Sequence, residues 1–381
     1  MATPGQLSYP RVKPEHRPYR TIDGNVRIGS VIHGIGAEIE DSEGWVWSLT
    51  QAMDGTHGVG TIASKVARAH PPLTEADVLG AIGDLYEAGF LEDASAPARA
   101  DFSERERVRY GRGVPLLRWM DQSPRRDSWE MQLKLRNAHV LLIGLGGAGG
   151  AAAQGLVASG VGKLHCVDHD VVEFSNLNRQ LLYREPDVGR TKVEAGLAAL
   201  RGLNSDVTVT GECHEVHSVS DLSCLLAQGP HPNGYDLLVL SADQPPLIRR
   251  WANQACLAAG TPWIDGGYRG PRVSVGLYVP GRGGCWECHR TSDAASRDLR
   301  LPADQDEDSV SPRMPWSPAN AVTASLTGAL LVHAALSILT GTPRLDPGFR
   351  FGMNLMLPGE PFVERYPRRP DCPACNQAAD Q

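Results

Sequence analysis

The stretch Val140-Leu-Leu-Ile-Gly144-Leu-Gly146-Gly147-Ala-Gly149 decides the fold of this 381-residue chain. Its apolar residues predict a buried strand, its glycines predict a tight turn, and residues 151–157 continue as a helix. Glycine lets the backbone approach a phosphate closely, and a helix N-terminus offers unpaired N–H groups with a partial positive charge. We therefore expect a nucleotide site at Gly144, Gly146, Gly147 and Gly149. By itself, the pattern fits a dinucleotide-dependent oxidoreductase equally well.

Around this turn, strand-like apolar runs alternate with helical stretches. The candidate strands are residues 139–143, 164–167, 207–210, 237–240 and 262–264. The segments between them are long enough for crossover helices, which predicts a doubly wound, mainly parallel α/β sheet of the Rossmann type. Residues 272–279 are typical of an antiparallel extension of that sheet.

Residues 15–95 predict a separate, small α+β domain of winged-helix-like type. The turn-forming Asp23-Gly24-Asn25 lies between two extended segments and indicates a hairpin. Three helical stretches follow, near residues 45–53, 59–66 and 78–86. After a linker at 94–104, the second domain covers residues 96–381 and includes an acidic crossover loop at about 291–316.

Composition excludes some partners. The chain has 37 Lys+Arg against 44 Asp+Glu, and the net charge of −7 argues against nucleic acid. The first twenty residues hold four prolines and no apolar run, so we expect no secretory signal, no membrane anchor and a cytoplasmic protein. The most apolar stretch, residues 321–339, contains several polar residues and predicts a core helix rather than a membrane span.

Two Cys-x-x-Cys pairs predict a structural zinc site. In a cytosolic chain, eight cysteines favour metal or isolated thiols over disulfides. Four thiolates fill the tetrahedral coordination of Zn²⁺ and leave no open position for catalysis. The expected ligands are Cys285, Cys288, Cys372 and Cys375. The alternative is a redox-active pair together with an incidental one.

The segment after the second predicted strand separates the possible nucleotide-binding classes. It reads Asp168-His-Asp170-Val-Val-Glu-Phe-Ser-Asn176-Leu-Asn-Arg179-Gln180, followed by Gly-Arg-Thr-Lys192. With Ser241-Ala-Asp243-Gln and the cysteine pairs in the same order, these motifs resemble the ThiF/MoeB superfamily of ATP-dependent adenylyltransferases, relatives of ubiquitin-activating enzymes. The resemblance covers residues 107–375.

The resemblance implies a charged catalytic set for MgATP. Arg179 and Lys192 would contact the phosphates, and Asp243 would hold Mg²⁺. Arg112 matches an arginine that, in this family, reaches the active site of the other subunit of a homodimer. Such cations suit adenylation, because the attacking carboxylate approaches an anion and charge develops on the departing pyrophosphate.

The remaining implied residues bind the nucleotide. Asp168 would hold the ribose hydroxyls, and Asn176 and Gln180 would order the site. Asp170 is a further nucleotide-binding residue that the resemblance implies. Some charged positions have plainer interpretations: Arg112 and Arg179 as solvated surface charges, and Asp243 as a helix N-cap. Lysine is far rarer than arginine in this chain, so a lysine at position 192 favours function.

One departure from the family concerns thioester transfer. Members that pass a protein C-terminus onward as a thioester carry a cysteine in the crossover loop, whereas no cysteine occurs here between Cys288 and Cys372. The region 309–317 reads Ser-Val-Ser-Pro-Arg-Met-Pro-Trp-Ser instead. We therefore expect the reaction to stop at an acyl-adenylate or to continue with another nucleophile, as in the microcin-type branch.

The first domain resembles PqqD-like recognition elements of ribosomal peptide biosynthesis. The resemblance implies that a leader peptide adds as a strand to the hairpin edge, here residues 26–32, beside a groove wall at residues 78–86. The alternative is a winged-helix-like domain used for dimerisation or DNA, and the acidic balance argues against DNA.

Together these resemblances imply a homodimeric nucleotidyltransferase that binds a precursor peptide. It would activate a carboxyl or amide group of the peptide with ATP and Mg²⁺ and release pyrophosphate, with no membrane or nucleic acid involved. Two alternatives stay open: a non-catalytic, leader-presenting partner of a cyclodehydratase, and a sulfur-carrier-protein adenylyltransferase.

Overall fold

The computed structural model describes residues 7–96, 101–125, 127–231, 234–296, 298–302, 305, 314, 318–365 and 367–376. The chain divides into two compact units. The first comprises residues 1–133 and 342–344, and the second comprises residues 134–341 and 345–381.

The first unit combines two small sheets with a helical layer. Strand β1 (Pro10–Val12) pairs antiparallel with β5 (Leu91–Asp93), while β2 (Tyr19–Arg20), β3 (Val26–Ser30) and β4 (Ile35–Ile39) form an antiparallel sheet in that order. The helices are α1 (Trp45–Ala52), α2 (Val59–Ala69), α3 (Glu75–Glu87), α4 (Glu104–Tyr110) and α5 (Gly113–Met120). The predicted hairpin and three helices are confirmed. The unit also continues past residue 95 through α4 and α5.

The predicted peptide-binding edge at residues 26–32 is wrong in part, since Val26 and Arg27 already pair with β2. Strand β3 is the inner strand of its sheet, because it pairs with β2 on one side and with β4 on the other. Gly29 and Gly36 face each other across β3 and β4, and a Cβ on Gly29 would lie 2.7 Å from the Ile35 carbonyl oxygen. Gly36 weakens the alternation of apolar and polar residues in β4. Among the described residues, β4 and the two-residue β2 form the two edges of this sheet.

The groove wall predicted at residues 78–86 is also wrong in part. The apolar side chains of Val78, Ile82, Leu85 and Tyr86 are all buried in the core of the first unit. Burial of this helical face stabilises the unit, so these side chains are not available to line an open groove. The partly buried face of α3 carries Leu79 instead.

The second unit confirms the predicted α/β class. Its strands are β6 (His139–Ile143), β7 (Lys163–Val167), β8 (Thr208–Glu212), β9 (Leu237–Leu240), β10 (Trp263–Arg269), β11 (Arg272–Tyr278), β12 (Phe349–Asn354) and β13 (Pro361–Arg365). Within the described ranges they form one sheet in the order β13-β12-β11-β10-β9-β6-β7-β8. Pairing is parallel from β10 to β8 and antiparallel from β10 to β13. The antiparallel extension begins with the longer β10.

Helices complete the second unit. They are α7 (Gly147–Ala158), α8 (Lys192–Leu203), α9 (Val219–Ala227), α10 (Ile248–Ala259), α11 (Trp286–Ser296) and α12 (Ala321–Thr340), and α6 (Glu130–Asn137) precedes β6. Because α11 continues to Ser296, residues 291–296 of the predicted crossover loop are helical. Most of residues 303–317, including the acidic run and much of the 309–317 region, lie outside the described residues, as do residues 97–100 of the predicted linker.

Helix α12 is long and apolar enough to cross a membrane by length and composition, with a mean hydropathy of 1.8. Its small residues pack against α7: a Cβ on Gly328 would lie 2.4 Å from the Ala151 Cβ. The fully buried Leu331 lies against Gly266 of β10. These contacts support the prediction of a core helix.

Candidate active site

A cavity of about 190 Å³ lies at the carboxyl ends of the parallel strands. The chain runs from β6 to β7 and β8 on one side and then returns to β9 on the other side of β6. Such a reversal leaves a crevice between the strand ends, where α/β proteins bind ligands. The predicted site residues that line it are Gly144, Gly146, Asp168, Asp170, Lys192 and Asp243.

The glycine loop forms the floor of this cavity. Gly144 has a φ of +94°, and a Cβ there would lie 2.8 Å from the backbone of Ser241. A Cβ on Gly149 would lie 1.8 Å from the Gly144 carbonyl oxygen, so the turn closes only with glycine at both positions. Gly147 is the first residue of α7, and Gly146 caps the helix without a side-chain hydrogen bond. The N–H groups of the first turn can therefore bind an anion.

Asp168 is fixed by backbone donors at the end of β7. The Leu145 N–H donates to its Oδ2 at 2.6 Å, and the Asp170 N–H donates to its Oδ1 at 2.8 Å. The residue is only 8% exposed. Each carboxylate oxygen retains a lone pair, so Asp168 can accept hydrogen bonds from ribose hydroxyls.

Lys192 is the first residue of α8, and Thr191 caps that helix through the Glu194 N–H. Its buried ammonium donates to Asp170 Oδ2 at 2.6 Å. Among the described residues that line the cavity, Lys192 is the single lysine or arginine, and the carboxylates are those of Asp168, Asp170, Glu215 and Asp243. This negative lining favours a divalent cation together with the nucleotide.

The structure does not bring Arg179 into the lining of this cavity. Its Nη1 donates to the Ser175 carbonyl oxygen at 3.2 Å and to Asn178 Oδ1 at 3.0 Å. The guanidinium also acts electrostatically on Tyr268. Burial raises the pKa of this tyrosine, and the charge of Arg179 opposes the rise. A phosphate contact from Arg179 requires its side chain to rotate away from these partners.

Asn176 and Gln180 support the loop that carries Arg179. Asn176 is buried, and its Oδ1 accepts the Glu173 N–H at 3.1 Å. Gln180 is 4% exposed, and its Oε1 has no hydrogen-bond partner in the described part of the chain. Neither residue lines the cavity.

Asp243 follows β9 and is largely exposed. It is not a helix N-cap, because α10 begins at Ile248 after Leu247. Its Oδ1 instead accepts a hydrogen bond of 2.7 Å from Arg249 Nη2, and Arg249 Nε donates to the fully buried Asp265 at 3.1 Å. Burial acts to lower the pKa of Arg249, but the charges of Asp265 and Asp243 outweigh it and raise the pKa.

Two groups of residues at the site were not expected from the sequence. His214, Glu215 and Val216 line the cavity after β8, where the carboxyl end of the next parallel strand could have indicated them. Arg249 and Asp265 come together only through the fold, since Asp265 lies on the strand after α10. No local motif marks that pair.

Arg112 lies in the first unit as an exposed residue directly before α5. Its contribution to the active site of the other subunit of a dimer stays a prediction.

The four paired cysteines form one buried cluster. The Sγ–Sγ distances are 3.9 Å for Cys285–Cys288, 3.7 Å for Cys285–Cys372 and 3.6 Å for Cys288–Cys375. Four sulfurs at about 2.3 Å from one zinc ion lie about 3.8 Å apart, so the cluster fits tetrahedral Zn²⁺. These distances are far too long for disulfide bonds. The Arg369 N–H at 3.4 Å from Cys288 Sγ supplies a donor that suits a thiolate.

The family match to known proteins lies mainly in the second unit. The sequence model described as ThiF family matches residues 121–374. Adenylyltransferase and sulfurtransferase MOCS3 of Sus scrofa is 31% identical over 284 residues, covering 74% of this chain and 56% of that protein. Molybdopterin-synthase adenylyltransferase of Escherichia coli is 33% identical over 191 residues, covering 50% of this chain and 70% of that protein. The chain thus spans little more than half the length of MOCS3.

Solved structures share the fold over almost the whole chain. The crystal structure of E. coli MccB gives a TM-score of 0.74 at 24% identity and covers 96% of both chains. MccB with AMPCPP and MccA gives 0.70 at 23% identity, covering 96% of this chain and 99% of that chain. At this identity, the likeness establishes the fold alone. Because the family match spans about two thirds of the sequence and includes the whole nucleotide cavity, the chain belongs to the ThiF family.

Proposed function

We propose that this protein is an ATP-dependent adenylyltransferase that activates a carboxyl or amide group of a ribosomally made precursor peptide and releases pyrophosphate. The observation that carries the proposal is the cavity at the sheet reversal, where Lys192, Asp168, Asp243 and the start of α7 converge. Relatives in the same family are named adenylyltransferases.

Different residues of the cavity would bind different parts of ATP. The amides at the start of α7 would bind phosphate oxygens, and Asp168 would accept the ribose hydroxyls. The apolar side chains of Val216 and Ile248 form part of the lining and would contact the base. Lys192 would exchange Asp170 for a phosphate, since a triphosphate carries more negative charge than one carboxylate.

Carboxylate oxygens are hard donors that suit Mg²⁺, so Asp243 fits the predicted metal role. Bound Mg²⁺ would offset charge on the phosphates during displacement. The protein's own contribution is to orient the α-phosphorus toward the acyl oxygen and to place Lys192 beside the developing charge.

The first unit would recognise the peptide. Strand β4 has a free edge within the described sheet, and extended peptides bind such edges through main-chain hydrogen bonds. The MccB fold extends over this unit as well, and one MccB structure is a complex with N-formylated MccA. A homodimer in which Arg112 completes the partner's site is part of the same proposal.

The names of the relatives favour one second candidate, a sulfur-carrier-protein adenylyltransferase. The two candidates differ in the acyl substrate and share the nucleotide chemistry. Incubation with each substrate class separates them, since only the cognate class stimulates exchange of pyrophosphate into ATP. A leader-presenting partner without catalysis would support no exchange.

The test compares Lys192→Ala with Lys163→Ala in peptide-dependent exchange of labelled pyrophosphate into ATP. Lys163 is an exposed lysine at the opposite end of β7 and serves as the matched control. We expect Lys192→Ala to lower the exchange rate at least about 100-fold, which is the scale of the effect of removing a preorganised donor to the transition state. Equal rates in the two variants would contradict the proposal.

A further inference from the structure

Four charged side chains connect the mouth of the nucleotide cavity to the buried sheet. Arg249 lies between Asp243, at 2.7 Å, and Asp265, at 3.1 Å. Arg350 on β12 also reaches Asp265, at 3.4 Å. Two carboxylates and two guanidiniums give this set a formal charge of zero. These ion pairs connect Arg350, in the antiparallel extension of the sheet, to Asp243 at the cavity.

Burial makes the inner end of the chain rigid. The Asp265 side chain is fully buried, and a Cβ on Gly276 would lie 2.5 Å from its Oδ1. Both guanidiniums bind the other oxygen, Oδ2. Ser274 Oγ accepts a further hydrogen bond from Arg350 at 3.1 Å. A buried carboxylate held in this way fixes Arg249, whereas Asp243 is 68% exposed and has no comparable packing.

We propose that Arg249 and Asp265 are positioning residues for Asp243 in metal binding. Arg249 binds Oδ1 of Asp243, and Oδ2 accepts no hydrogen bond from the described residues, which fixes the direction in which the carboxylate faces the cavity. Asp265 holds Arg249 and balances its charge, so that Arg249 does not compete with a divalent cation for Asp243. This inference rests on the proposed function, because it assigns the metal role to Asp243.

The two positioning residues differ in their expected effect on metal affinity. Removing the charge of Asp265 leaves the Arg249 guanidinium without its buried counter-charge, so the metal must compete for Asp243 with an unbalanced cation. Removing Arg249 takes away both the competitor and the orientation. A merely structural ion pair would instead give the same defect for both changes.

The experiment titrates Mn²⁺ by electron paramagnetic resonance in the presence of a non-hydrolysable ATP analogue. We expect Asp265→Asn to raise the half-saturating Mn²⁺ concentration about 10-fold, since unbalanced charge near a divalent ion changes its affinity by at least that order. Arg249→Gln should not raise it, yet it should lower kcat of pyrophosphate exchange about 10-fold through misplacement of the carboxylate. Should Asp265→Asn fail to fold, Arg350→Gln tests the same balance and should lower the half-saturating concentration.

Arg250→Gln is the matched control, because Arg250 is the next residue of α10 and pairs with Glu287 outside the cavity. It should leave both quantities unchanged. Equal metal affinity in wild type and in folded Asp265→Asn or Arg350→Gln, or no nucleotide-dependent Mn²⁺ binding by the wild type, would overturn the inference. Wild-type protein that binds Mn²⁺ and nucleotide but exchanges no pyrophosphate would refute the proposed function instead, and the shifts in metal affinity would still support the inference.

Discussion

At the scale of single residues, the site is a balance of opposite charges. Lys192 is buried against Asp170, and Asp243 is paired with Arg249, so neither charge is exposed without a partner. Lys192 and Asp243 were expected from their surrounding motifs, but their present partners were not. Such pairs depend on side chains from different strands and helices, which no local pattern in the sequence records.

A second residue-scale feature lies in the core of the first unit. His16 is fully buried, and neither ring nitrogen has a hydrogen-bond partner in the described part of the chain. Its ring packs edge-on against Phe90 at 5.4 Å. Burial, reinforced by the charge of Lys13, lowers the pKa of His16 to about 4.

This pKa predicts an acid-sensitive first unit. Between about pH 6.5 and 4 the unfolded chain binds a proton at His16 that the folded chain does not, so stability falls as the pH falls through this range. Thermal unfolding at pH 7 and pH 5 measures the loss, which we expect to be about 1–2 kcal/mol for this residue. His16→Gln should be less sensitive to pH. An identical loss in wild type and variant would contradict the assignment.

At the scale of elements, the parallel strands and the glycine turn were predictable because each is a local pattern. Strands β6 and β9 begin and end at the predicted residues. In contrast, β10 continues to Arg269 past the predicted end at residue 264, through Gly266 and Gly267. A Cβ on Gly266 would lie 2.7 Å from Leu331, so this glycine reflects packing against α12 rather than a break in the strand.

The pairing of β2, β3 and β4 could not be read from the sequence for a similar reason. Which strand is the inner one depends on contacts between segments, and the small residues of β4 give little alternation. The edge strand matters for function, because a peptide can add only to an unpaired edge.

Hydrogen exchange of β4 tests the recognition proposal. Binding of the cognate peptide should slow exchange of amides in Ile35–Ile39, because the added strand would pair with this edge. Strand β8, an edge strand of the eight-stranded sheet in the second unit, provides the internal control and should exchange at the same rate with and without peptide. Equal slowing in both strands, or none in β4, would refute binding at this edge.

At the scale of the whole molecule, the cysteine cluster connects distant parts of the second unit. Cys372 and Cys375 come after β13, whereas Cys285 and Cys288 lie at the start of α11. Each Cys-x-x-Cys pair was predictable, because its spacing is local. The distance of 87 residues from Cys285 to Cys372 gave no indication of how closely the two pairs approach each other. A metal here would hold the tail against α11.

Removal of one ligand should therefore release the metal and destabilise the second unit. Cys375→Ser should lower the zinc content, measured by mass spectrometry of the purified protein, from one equivalent to near zero. The melting temperature should fall by at least about 5 °C, since a unit of this size loses about 2–4 °C per kcal/mol. The exposed Cys224→Ser is the control. Full zinc content in Cys375→Ser would rule out the cluster as the site.

The central claim is that the reaction breaks ATP at its α-phosphorus. In adenylation, an acyl oxygen of the peptide bonds to the α-phosphorus, the bond from that phosphorus to the bridging oxygen breaks, and pyrophosphate leaves. Analysis of the nucleotide products after incubation with MgATP and cognate peptide tests this directly. The account predicts one peptide-dependent pyrophosphate for each adenylyl group transferred. It also predicts that ¹⁸O from the labelled acyl group is bonded to the α-phosphorus, in the acyl-adenylate or, once a nucleophile has broken the acyl C–O bond, in free AMP. Formation of ADP and inorganic phosphate, or AMP without the label, would contradict it.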